Sequence, residues 1–148
     1  MRIVIQRVKY ATCTIDGKIT GRCDKGFLLL IGFKNTDTKA DLDKMLKKVT
    51  GMRIFEDENG KMNKSLRDVS GTILAISQFT LYADCKHGNR PGFTDAMEFN
   101  LANEYYLTFV KMLTDAGYHT EMGIFGADMK IELLNDGPVT ILLDTESL

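Results

Sequence analysis

A chain of 148 residues, 44% hydrophobic and 26% charged, has the composition of a single globular domain over residues 1–148. At this length roughly 70% of the unfolded surface can be buried without disulfide or metal staples. No run of 18 apolar residues exists, which argues against a transmembrane helix, and Met1-Arg2-Ile3-Val4-Ile5-Gln6-Arg7-Val8 alternates without the cleavage site of a signal peptide. Three cysteines without a Cys-x-x-Cys pair, Cys13, Cys23 and Cys85, read as free thiols, so a cytoplasmic location is expected. With a net charge of −1, any nucleic-acid partner must be met by a local patch, for which Lys44, Lys47 and Lys48, or Lys86, His87 and Arg90, are the candidates.

The first third reads as β-structure. Residues 2–8 alternate, with Val4, Gln6 and Val8 on one face and Ile3, Ile5 and Arg7 on the other. A strand over 10–15 and a return strand over 18–23 flank Asp16-Gly17, a hairpin signal because both central positions of a type I′ turn need positive φ. The unbroken apolar run Phe27–Ile31 predicts a strand buried on both faces. Leu42, Met45, Leu46 and Val49 form one stripe of a helix over 38–50, capped by Thr36 or Thr38. A turn around Asn59-Gly60 follows, then a strand over 72–82. A second helix is predicted over 94–116, with Thr94 or Asp95 as N-cap, Ala102, Tyr106, Phe109, Val110 and Leu113 as its buried stripe, and Gly117 just beyond its end. Strands over 119–125, 129–134 and 139–143 complete the pattern, the last two joined by a turn at Asn135-Asp136-Gly137-Pro138. The order implies a mixed α+β fold, sheet layered on sheet with helices on one side, without strict βαβ alternation.

Chemistry-bearing motifs are few. His87 and His119 lack ligand partners at metal spacing, so no metal site is expected, and no phosphate-binding glycine loop or Gly-x-Ser-x-Gly elbow occurs. Ser77, Thr80 and Cys85 lie near one strand end with His87 close by, which leaves a Ser or Cys hydrolase open, but no acid is placed to orient the histidine. In Ser77-Gln78-Phe79-Thr80-Leu81-Tyr82 an apolar strand gains polar groups. If the strand persists, Gln78 and Thr80 share a face, as in a ligand-bearing strand end or an ordinary half-exposed strand. A non-catalytic binding module for tRNA or protein is a third reading.

Five segments, in order and nearly end to end, resemble the D-aminoacyl-tRNA deacylase family. They are Gln6-Arg7-Val8, Ser77-Gln78-Phe79-Thr80-Leu81-Tyr82, Gly88-Asn89-Arg90-Pro91, Gly123-Ile124-Phe125-Gly126-Ala127-Asp128-Met129 and Asn135-Asp136-Gly137-Pro138-Val139-Thr140. Gly92 departs from the pattern, standing where the family usually has Ser. The resemblance implies a cofactor-free, metal-independent homodimer that removes D-amino acids from the 3′ end of aminoacylated tRNA. Its catalytic segment would be Ser77, Gln78, Phe79 and Thr80. Gly137-Pro138, expected to be cis, would enter the partner subunit's pocket and reject L-substrates by clash. Arg7 would steady the Gly-Pro carbonyl, and Phe125 and Met129 would line the terminal adenosine pocket. Catalysis would rest on backbone N–H groups near Phe79 and Thr80 and on the ribose 2′-hydroxyl.

Overall fold

The computed structural model describes residues 1–148. One long strand, β1 (Arg2–Ile15), organises it, continuous where two strands were predicted. Asp16 and Gly17 turn the chain with φ of 49° and 76°, and β2 (Lys18–Cys23) returns along Ala11–Ile15. β3 (Gly26–Gly32) takes the same edge of β1 further back, opposite Arg2–Val8. Two crossovers then add parallel strands beyond β3. The first carries α1 (Lys39–Gly51) and the small β4 (Phe55–Glu56)–β5 (Met62–Lys64) hairpin before β6 (Thr72–Ser77) pairs with β3. The second carries α2 (Phe99–Asp115) before β7 (Thr120–Met122) pairs with β6. β8 (Lys130–Asp144) runs antiparallel along the other edge of β1, and no strand pairs with the outer edge of β8.

β1 serves two cores along its length, divided where its alternation breaks at the consecutive buried residues Arg7 and Val8. Ile3 and Ile5 join Phe27, Leu29, Ile31 and both helices in a cluster of 24 buried residues, whereas Ala11 and Cys13 join Leu28, Leu74 and Ile76 in one of seven. The sevenfold group lies between sheet layers, so the greater part of the apolar stabilisation sits on the helix side. β2 leans over β6 and β7, where the Arg22 and Asp24 N–H groups donate to Glu121 Oε1 and Thr72 Oγ1, both at 3.1 Å. Both predicted helix stripes are buried, apart from a half-buried Leu46.

Four predicted boundaries move, each for a reason of long-range bonding. The strand expected over 72–82 ends at Ser77, the last position paired with β3. The Gln78 N–H makes the last bond, 2.7 Å to Ile31 O, and Phe79–Tyr82 coil into a 3₁₀ turn. Gln78 and Thr80 therefore do not share a strand face. The helix expected from 94 starts at Phe99. Residues before it are held against the end of β3, with Met97 N–H on Phe33 O at 3.0 Å and Asn35 N–H on Asp95 O at 2.9 Å. Glu98, not Thr94 or Asp95, caps it by accepting from the N–H groups of Asn100 and Leu101 at 3.0 and 3.1 Å. The strand expected over 119–125 shrinks to Thr120–Met122, its length of contact with β6. Finally, Asn135-Asp136-Gly137-Pro138 is no turn between two strands. Both flanks pair with β1, and between Thr140 and Asn135 β8 spends five positions against two of β1, so the extra residues bulge outward.

Candidate active site

At the carboxyl end of β6 the chain stops being a sheet and a cavity of about 640 Å³ opens. Ser77, Gln78 and Phe79 form one wall, Phe99 and Ala102 of α2 another, and the segment from Phe125 to Met129 leading into β8 a third. Its lining is mainly apolar, with Phe79 and Phe93 edge-to-face at 4.9 Å and Phe99 and Phe125 likewise at 4.9 Å. Phe79 and Phe99 leave 55% and 57% of their surface exposed, a cost that core packing does not explain and a ligand would offset. Gly126 makes the third wall possible. At φ 79°, an added Cβ would lie 2.8 Å from two ring carbons of Phe99.

Polar groups are sparse and mostly uncharged. Asp128 is the one ionisable residue on the lining, and its carboxylate faces Lys130 Nζ at 2.9 and 3.1 Å. Gln78 Nε2 donates to Thr80 Oγ1 at 2.5 Å, so these side chains hold each other across the first step of the 3₁₀ turn. The N–H groups of Phe79 and Thr80 have no acceptor within the chain. Behind the cavity, burial raises the Tyr106 hydroxyl well above its ordinary range. It stays protonated and donates to Ala75 O at 2.7 Å, fixing β6 to α2. No pair of titratable side chains stands ready for acid–base work here, so what the site offers is apolar binding and orientation, with two backbone N–H groups placed to support a developing negative charge.

Arg7, Gly137 and Pro138 stand apart from the cavity lining. The Arg7 side chain is buried, 6% exposed, and donates through Nε to Asp136 O at 2.9 Å and through Nη1 to Ile54 O at 2.6 Å. It thus steadies the peptide immediately before Gly137, not the Gly-Pro carbonyl. Asn135 closes the bulge from within, its Oδ1 accepting the Val139 N–H at 2.8 Å. The Gly137–Pro138 bond is cis, Gly137 has φ 144°, and both residues are exposed.

A family model described as D-Tyr-tRNA(Tyr) deacylase matches residues 4–144. The chain belongs to this family. It is 55% identical over 144 residues to a D-aminoacyl-tRNA deacylase of Lactobacillus acidophilus, and 51% identical over 144 residues to one of Limosilactobacillus reuteri. Both alignments cover 97% of this chain and 99% of the relative. Among solved structures, a c-Myc DNA unwinding element binding protein superposes with a TM-score of 0.92 at 38% identity, covering 98% of this chain and 99% of the other. A probable eukaryotic D-amino acid tRNA deacylase shares the fold with a TM-score of 0.84 at 16% identity, covering 96% and 97%.

Within this deacylase-family fold, Ser77, Gln78, Phe79, Phe125 and Met129 all lie on the cavity, and Thr80 adjoins it through Gln78. Phe93, Met97 and Phe99 line it too and were not singled out from sequence. Phe99 fell inside the predicted second helix, and its exposure is a property of the fold. The only linear hint was an aromatic outside the buried stripe. Cys85 and His87 sit in an exposed loop, with no hydrogen bond between them and no place on the cavity wall.

Proposed function

We propose that the chain, by family a D-aminoacyl-tRNA deacylase, hydrolyses the ester of D-amino acids and of glycine at the 3′ end of tRNA and so proofreads the substrates of translation. It does so in the cavity at Ser77–Thr80. The observation that carries this reading is the meeting of a 640 Å³ apolar cavity with two unengaged backbone N–H groups, those of Phe79 and Thr80. That volume suits a small-molecule-sized group such as a terminal nucleoside with its amino acid. The ester carbonyl oxygen faces the two N–H groups, which stabilise the charge that develops on it. The attacking oxygen is a water positioned with the help of the ribose 2′-hydroxyl. Gln78 and Thr80 hold the turn that presents the donors, and Phe125 and Met129 flank the terminal adenosine.

Chirality is read by exclusion. In a homodimer, Gly137–Pro138 of one subunit enters the cavity of the other as a backbone wall, and an L-side chain collides with it. Two features support a trans arrangement. The bulge is exposed and away from its own cavity, and β8 leaves an outer edge unpaired with Leu134 and Leu142 exposed by 48% and 60%. Arg7 then acts as a positioning residue through Asp136. Residues 1–148 work as one cytoplasmic domain without metal or cofactor.

Release of amino acid from D-tyrosyl-, L-tyrosyl- and glycyl-tRNA tests this directly. Rapid cleavage of the D- and glycyl esters with the L-ester spared is expected, since glycine has no side chain to collide. Equal cleavage of D and L esters removes the filter, and no cleavage of any removes the enzyme.

A further inference from the structure

A net charge of −1 leaves this chain without a general attraction for a polyanion, so any grip on tRNA outside the cavity must be local. The loop from Asp84 to Gly92 meets that need. It is a closed structure. The Asp84 N–H donates to Gly92 O and the Gly92 N–H to Asp84 O, both at 2.8 Å, and every residue between them is exposed. It leaves the 3₁₀ turn that carries Phe79 and returns directly into Phe93, and these two rings touch at the cavity rim. It displays Lys86, Arg90 and His87 together. Neither Lys86 nor Arg90 forms an ion pair, a property they share with Lys44, Lys47 and Lys48, so it is their place beside the cavity rim that sets them apart. The loop's one acid, Asp84, is exposed at its base, where its carboxylate accepts the Lys86 N–H at 2.9 Å. The other basic cluster, Lys44, Lys47 and Lys48, lies on α1, which contributes nothing to the cavity wall.

We propose that the Asp84–Gly92 loop is the phosphate grip for tRNA. Lys86 and Arg90 hold the backbone of the acceptor end beside the nucleotide whose ester enters the cavity, with His87 as a further donor. Arg90 supplies a forked donor suited to phosphate and Lys86 a point charge. Such contacts carry no base sequence, which suits an enzyme meeting many tRNAs. The proposal rests on the cavity being the deacylation site.

The test is Lys86→Glu/Arg90→Glu in the full chain, assayed on D-tyrosyl-tRNA and on D-tyrosyl-adenosine, which keeps the ester and nucleoside but has no phosphates. Binding of uncharged tRNA is followed against salt, and thermal unfolding confirms folding. The expected result is a KM for D-tyrosyl-tRNA raised about tenfold or more with kcat little changed, the slope of log affinity against log salt reduced by about 2, and D-tyrosyl-adenosine turnover unaltered. An unchanged salt slope and KM overturns the proposal. Equal loss on both substrates also overturns it, since the loop would then shape the cavity and not grip phosphate. Failure of the cavity reading looks different: the wild type itself would release no D-tyrosine from the tRNA, while the salt-dependent binding of uncharged tRNA would still report on the loop.

Discussion

The cavity and the Gly137–Pro138 bulge are built on opposite terms. The cavity is made by side chains, with aromatic rings meeting edge-on and half out in solvent. Its shape can adjust, because ring contacts of this kind are worth about 1 kcal/mol each. The bulge is made by backbone, tied by Arg7 to Asp136 O and by Asn135 to Val139. Each tie has one geometry, and Gly137 has no room for a side chain. Under the proposed function, a site that accepts many amino acids is served by the first kind of construction, and a filter that refuses a stereoisomer is served by the second.

The strongest way to break this contrast is Gly137→Ala. The new Cβ would lie 2.7 Å from Val139 Cγ2 and 2.9 Å from Val139 N, at a φ of 144° that side chains rarely adopt, so the bulge must move. We expect kcat/KM on D-tyrosyl-tRNA to fall by about 100-fold or more, equivalent to about 2.7 kcal/mol, with the D-over-L preference reduced. A variant with wild-type rates and selectivity would show that the bulge is not a filter.

Arg7→Ala attacks the same region through its support. Removing a buried guanidinium strands the carbonyls of Asp136 and Ile54, and a loss of about 3 kcal/mol in urea unfolding is expected. Arg7→Lys restores charge but not the fork, so it should recover only part of the stability and should leave D-over-L selectivity impaired. Full recovery by lysine would reduce Arg7 to a buried charge.

On the cavity side the expected effects shrink. Thr80→Ala removes the acceptor of Gln78 Nε2 but leaves both N–H donors of the turn in place. Activity within about tenfold of wild type is expected. A loss near 10³-fold, of order 4 kcal/mol, would give the hydroxyl a chemical role and make the cavity a side-chain site after all.

What could be read from the sequence follows the same division. Local signals survived: the Asp16-Gly17 hairpin, the stripes of both helices with Leu46 only half-buried, and Gly117 with φ 93° after α2. Features set by distant partners did not. Ser77 ends β6 where its pairing with β3 stops, opposite Ile31, and nothing in Phe79–Tyr82 itself announces a 3₁₀ turn. The Asn-Asp-Gly-Pro segment has turn chemistry, yet β1 pairs with both sides of it and converts the turn into a bulge. The cavity residues of the β6 end were marked both by polar groups at the end of an apolar strand and by family resemblance, and those of the Phe125–Met129 segment by resemblance alone, whereas Phe93 and Phe99 required the fold.

The smallest expected effect tests the remaining rival, a thiol hydrolase. Cys13 and Cys23 are buried, and burial pushes the Cys23 thiol up to about 11, so at neutral pH it is protonated as well as covered. Cys85 alone is exposed. Iodoacetamide on the native protein should therefore label one thiol of three by mass, and labelling of all three should require denaturant. Cys85 sits on the loop assigned to phosphate contact but outside the cavity wall, so its alkylation should leave D-tyrosyl-adenosine turnover unchanged. A full loss of that turnover on modification of one thiol would place the nucleophile at Cys85 and move the chemistry from the backbone turn at Phe79 to the loop beyond it.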